Sequence, residues 1–152
     1  MGKMKMLLKI ATTAGPVVFE VVRKYGPQIR KLMDDNPDFF DSLKGRLGAL
    51  AGVSKVKRGA PRLQTRIEVL RQQTTYLYGT ANNASVAEQA TAWRRELDGL
   101  ENSLPVVSSM KGKVRRGNMR HLEERLDSLS AKILALTLED DIEDAEVIDD
   151  AR

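Results

Sequence analysis

The sequence predicts an all-α protein: an antiparallel, coiled-coil-like three-helix bundle, preceded by two or three amphipathic helices and followed by a disordered acidic tail. Three observations predict it. Apolar residues recur at alternating spacings of three and four through three separate segments between Leu63 and Leu136. Turn and cap residues fall between those segments. Charge is gathered in blocks, basic at the front of the chain and acidic over the last fourteen residues. The expected boundaries are an amphipathic region at 1–52, a basic linker at 53–60, the bundle at 61–138 and the tail at 139–152.

The first bundle segment carries Leu63, Ile67, Leu70, Thr74 and Leu77. The second carries Val86, Ala90, Trp93, Leu97, Leu100 and Leu104, and the third Met119, Leu122, Leu126, Leu129, Ile133 and Leu136. A spacing averaging about 3.5 residues is the seam of a helix packed on other helices, and strands would alternate every second residue. Of the seventeen slots only Thr74 is polar. Pro61 fits a first helical turn. Gly79 reads as a stop, and Ser85-Val86-Ala87-Glu88 as a capping box opening the second helix. Leu104-Pro105 reads as its end, because proline disfavours helical geometry in the residue before it. Gly117-Asn118 precedes the third. The same spacing permits pairing with a second copy, so self-association stays open.

At 100° per residue, Met4, Leu7, Leu8, Ala11, Val18, Val21, Val22, Tyr25, Ile29, Leu32 and Met33 share one helical face. Lys5, Lys9, Arg23 and Lys24 lie opposite, as do Pro16 and Pro27, each preceded by glycine. The stripe therefore keeps its phase across two expected kinks. A basic amphipathic helix of this kind either packs on a core or lies in an anionic membrane interface. The membrane reading offers Leu7, Leu8, Val18, Val21 and Val22 as the inserted side chains and Lys5, Lys9, Arg23 and Lys24 as the headgroup contacts. Lys9 and Glu20 leave too few apolar residues between them for a spanning helix. Asn36 caps a further helix with Pro37 in its first turn, and Phe39, Phe40, Leu43, Leu47 and Leu50 line one side of it.

Composition excludes several chemistries. With no cysteine there are no disulfides and no thiolate ligands. The single histidine, His121, lies off its helix's seam and reads as solvent-facing. No nucleophile–base set, metal cluster or phosphate loop assembles, so an enzyme is not expected and no cofactor is implied. Residues 1–60 hold 12 basic and 5 acidic side chains, whereas residues 139–152 hold 1 and 8. Such asymmetry speaks to partners rather than fold.

The most specific local feature is a near-repeat. Lys55-Val56-Lys57-Arg58-Gly59 precedes the first bundle helix, and Lys113-Val114-Arg115-Arg116-Gly117 precedes the third. In an up-down-up bundle both lie at one end. With Arg62, Lys111 and Arg120, the candidate anion- or phosphate-binding set is Lys55, Lys57, Arg58, Arg62, Lys111, Lys113, Arg115, Arg116 and Arg120. Two helix N-termini aim free N–H groups the same way. An extended tail of fourteen residues, about 46 Å long, reaches back far enough to mask that end. The expected function is a non-enzymatic interaction or scaffold protein with protein partners, cytoplasmic and peripheral on the inner face of a membrane through its first helix. The alternative is a non-specific nucleic-acid-binding accessory protein using the basic end. No helix-turn-helix, zinc finger or aromatic platform supports sequence-specific readout.

Overall fold

A computed structural model describes the backbone of residues 2–150 and the side chains of residues 2–146. Among the described residues it is all-helical: α1 (Lys3–Ala14), α2 (Pro16–Lys24), α3 (Gly26–Asp35), α4 (Pro37–Gly52), a 3₁₀ turn (Val53–Lys55), α5 (Ala60–Thr80), α6 (Ala84–Ser108) and α7 (Gly112–Asp150).

The breaks follow local chemistry. Gly15 holds φ 128°, a conformation side chains resist, and Pro16 opens the next helix. The expected kink there is a turn, after which α1 and α2 pack against each other. Gly26 lets α3 begin against α1, where a Cβ would sit 3.3 Å from Met4 Cε. Asn36 accepts hydrogen bonds from the backbone N–H groups of Asp38 (3.1 Å) and Phe39 (3.4 Å), which satisfies first-turn donors of α4. Three expected boundaries move. Asn83, not Ser85, caps α6, with its side chain accepting from Val86 N–H at 3.0 Å. The helix also runs through Pro105 to Ser108. A proline this close to a C-terminus removes one ladder bond, and burial of Val107 holds the last turn down. Finally, α7 starts at Gly112 rather than after Asn118.

Side-chain bonds fix the helix directions. Gln64 donates to Glu101 (2.8 Å) and, about two turns along α5, Arg71 pairs with Asp98 (2.8 Å), so α5 and α6 are antiparallel. Arg66 pairs with Asp127, and Asn82, just beyond α5, donates to Asp140 (3.1 Å), so α7 runs parallel to α5. Every seam residue of α5 and α6 is buried, Thr74 included; its hydroxyl donates to the Arg71 carbonyl at 2.7 Å. In α7, Met119 and Leu136 are half-buried and the other seam residues buried.

The core is continuous from Met4 to Leu138. α4 packs on α1, α3 and α5, while α2 and α3 pack on α7. The apolar stripe of the first three helices therefore faces inward. Leu7 and Val22 are 0 % exposed and Val18 2 %, and Leu8 and Val21 are half-buried against the same core. This corrects the membrane-facing expectation: those five side chains are already covered by α4 and α7. Lys5, Lys9, Arg23 and Lys24 remain at the surface. No helix among the described residues is long and apolar enough to cross a membrane.

The expected disordered tail at 139–152 is also corrected. Helix α7 continues through it to Asp150, and residues 151–152 lie outside the described residues. Tyr25 donates a hydrogen bond to Glu139, Arg46 pairs with Asp141 at 2.9 Å, and Ile142 and Ala145 pack on the core. Those contacts supply the partners that a run of acids would otherwise lack.

Candidate anion-binding end

The start of α5, the end of α6 and the start of α7 meet at one end of the molecule, the arrangement expected from the near-repeat. Pro61 and Gln64 face Glu101 and Pro105 across a shallow cleft. Arg58 and Arg62 share a second groove, of about 480 Å³, with Glu123 and Asp127 of α7. Arg66 lies six residues into α5, and its partner Asp127 lies fifteen into α7. At about 1.5 Å per residue, α7 thus begins about 13 Å beyond the start of α5. The overhang explains why Lys111 to Gly117 are all exposed.

Eight of the nine candidate residues are exposed: Lys55, Lys57, Arg58, Lys111, Lys113, Arg115, Arg116 and Arg120. None of the eight makes a salt bridge among the described residues. Arg62 is different. Its guanidinium donates to the carbonyls of Val56 (2.9 and 2.7 Å) and Ser54 (3.0 Å). Arg62 is therefore a clamp on the linker backbone, where carbonyls without helical partners need donors. The sequence reading also missed Arg66, which reaches the same groove and bonds Asp127 and Ser130. Arg58, Arg62 and Arg66 recur every fourth residue, a helical spacing that could have flagged the groove.

The charges of α7 run against its own dipole. A helix N-terminus carries partial positive charge and its C-terminus partial negative charge. Helix α7 nevertheless opens with Lys113, Arg115 and Arg116 and closes on Glu139, Asp140, Asp141, Glu143, Asp144 and Glu146. An acid in the first turn or a base in the last, the favourable placements, is absent from α7. A misplaced charge costs the helix about 0.3–1 kcal/mol when exposed at low salt and within the first or last turn, as Lys113 and Arg115 are. This pattern does not stabilise the fold.

The opposite end is acidic and partly buried. Asp140 is 2 % exposed; one carboxylate oxygen accepts from Asn82 and the other has no partner among the described residues. Burial pushes its carboxyl above the usual range, and the Asp144 and Asp141 charges push the same way against the Asn82 bonds. Burial likewise raises Asp141, against the pull of Arg46. The Tyr25 hydroxyl is pushed up to about 12, chiefly by its hydrogen bond to Glu139. Midway, the Arg71 hydrogen bond holds Glu101 below the usual carboxylate range, with help from Gln64. His121 is exposed and lies 3.9 Å from Glu124. No group of three or more His, Cys, Asp or Glu among the described residues is placed to hold a metal ion.

The class so defined is an all-helical protein with one basic and one acidic end. No family model and no curated protein matches the chain in sequence, and no solved structure matches it in fold.

Proposed function

We propose that this protein is a non-enzymatic interaction or scaffold protein, with α5, α6 and α7 as its three-helix bundle, that docks an anionic macromolecule at its basic end. One observation carries the reading: eight exposed basic side chains share that end and none is neutralised by a carboxylate among the described residues. They sit where misplaced helix charge costs stability, so an incoming anion relieves repulsion among them and satisfies first-turn N–H groups of α7. Insertion of α1 and α2 into a membrane loses support because their apolar residues are in the core. A purely electrostatic contact with anionic headgroups remains compatible with the geometry.

Non-specific binding of nucleic-acid phosphates is the second reading. The overhang of α7 favours it, because an unobstructed helix end carrying Lys113, Arg115, Arg116 and Arg120 can approach a phosphate backbone from several sides. The test is titration of a labelled duplex oligonucleotide, and separately of anionic vesicles, against the full chain over a range of salt. Each phosphate contact contributes a slope of about −0.9 in log K against log salt. The variant R115E/R116E should weaken binding and flatten the slope by about two contacts. Binding unchanged by that variant, or no binding to either ligand at low salt, would remove the proposal.

A further inference from the structure

The two ends are complementary in more than charge. Among the described residues five large apolar side chains are exposed, and four of them stand at the ends. Val106 (58 %) and Val114 (61 %) flank the α6–α7 turn at the basic end, while Tyr76 (40 %) and Tyr78 (60 %) close α5 at the acidic end. The acidic end also holds a cleft of about 800 Å³, lined by Asp38, Phe39, Tyr76, Asp141, Glu143 and Asp144, among other residues. Among the described residues its lining includes no lysine or arginine. Asp141 is engaged by Arg46, but Asp38, Glu143 and Asp144 make no salt bridge among the described residues.

Within one molecule these ends cannot meet. Lys113 and Glu139 lie 26 residues apart on one helix, which is about 39 Å at 1.5 Å per residue. The expected self-masking by a flexible tail is thereby corrected, because the acids from Glu139 to Glu146 are rungs of α7 itself. The contact is open only between molecules.

We propose that this chain associates head to tail, the basic α6–α7 turn of one copy seating in the acidic cleft between α3, α4, α5 and α7 of the next. Val106 and Val114 supply apolar contact for Phe39 and Tyr76. Lys111, Lys113, Arg115 and Arg116 face Asp38, Glu143 and Asp144. The dipole mismatch at both ends of α7 is relieved by the same contact, since each misplaced block meets its opposite. The interface is heterologous, so it generates a ring where the rotation closes and an open chain where it does not. The carboxyls of Asp140 and Asp141, raised chiefly by burial, gain a cationic neighbour.

This inference rests on the same basic end as the proposed function, but its test contains no nucleic acid or lipid, so either can fail alone. Sedimentation velocity of the full chain should give a mass rising with concentration above the 16.9 kDa monomer at about 50 mM salt. The mass should return to monomer near 500 mM, where the screening length is a few ångströms. R115E/R116E alone and E143K/D144K alone should each stay monomeric. Mixed in equal amounts they should associate again, because the reversed turn of one meets the reversed cleft of the other; recovery also shows that both are folded. A chain monomeric at every concentration, association indifferent to either reversal, or a mixture that stays monomeric would each overturn the proposal.

Discussion

Replacing Leu7 with alanine asks whether α1 belongs to the core or to a membrane surface. Leu7 is 0 % exposed and lies in the cluster that α4 and α7 complete. Leucine-to-alanine changes at such sites cost about 3 kcal/mol, from lost transfer energy plus the cavity left behind. For a chain of this size each kcal/mol lowers Tm by about 3 °C, so L7A should melt about 9 °C below the parent. Urea unfolding followed by far-UV circular dichroism, without lipid, should show a lower midpoint at an unchanged slope. The neighbouring Met6 is 38 % exposed on the same helix, and M6A should stay within about 0.5 kcal/mol. Equal midpoints for L7A and M6A would refute the reasoning, because α1 would then contribute no packing and its apolar face would be free for another surface.

Two further predictions concern the acidic end. The raised carboxyl of Asp140 binds its proton more tightly in the fold than in the unfolded chain. It therefore lowers stability at neutral pH, and stability rises as pH falls through its folded pKa toward the ordinary value. Asparagine keeps the acceptor that Asn82 uses, so D140N should gain about 1 kcal/mol at neutral pH, and the gain should shrink toward about pH 4. Urea midpoints across that range check it, and a loss at neutral pH would mean the charge is wanted. Arg46 is the second case. Its side chain is 11 % exposed, bridges Asp141 at 2.9 Å and stacks 5.1 Å over the Tyr76 ring. Two of its nitrogens, Nε and one terminal nitrogen, lack partners among the described residues. R46A should cost about 3 kcal/mol by leaving Asp141 buried without a counter-charge, while R46M/D141L should recover most of it. Thermal melts of R46A and R46M/D141L, with R46M and D141L as the singles that close the double-mutant cycle, decide the matter.

The seams of α5 and α6 were legible because a helix gripped from one side writes its burial as a single stripe. Helix α7 was only half legible. Leu134, Thr137 and Leu138 are buried although they lie off the seam, because α2 and α3 pack on α7 from a side that a three-helix scheme leaves wet. Its continuation past 138 was hidden by acidic composition, yet Leu138, Ile142 and Ala145 keep the i, i+4, i+7 rhythm and could have revealed it. The caps divided similarly. Asn36 followed by Pro37 left one place for a start, whereas Asn82, Asn83 and Ser85 offered several within one turn and tertiary contacts chose among them. At the basic end, composition and periodicity located the cluster but not the role of Arg62, which depends on where the linker carbonyls point.

The packing of α2 bears on how the chain is made. Beyond its chain neighbours α1 and α3, α2 packs against α7 alone among the described elements. The Tyr25–Glu139 bond spans 114 residues. At a ribosomal rate of about 10 residues per second, Glu139 is joined to the nascent chain about ten seconds after Tyr25. Through that interval Val18 and Val22 lack the cover that α7 supplies. The adhesive face that the finished molecule hides is thus only partly covered during synthesis, for as long as α7 is still to be made.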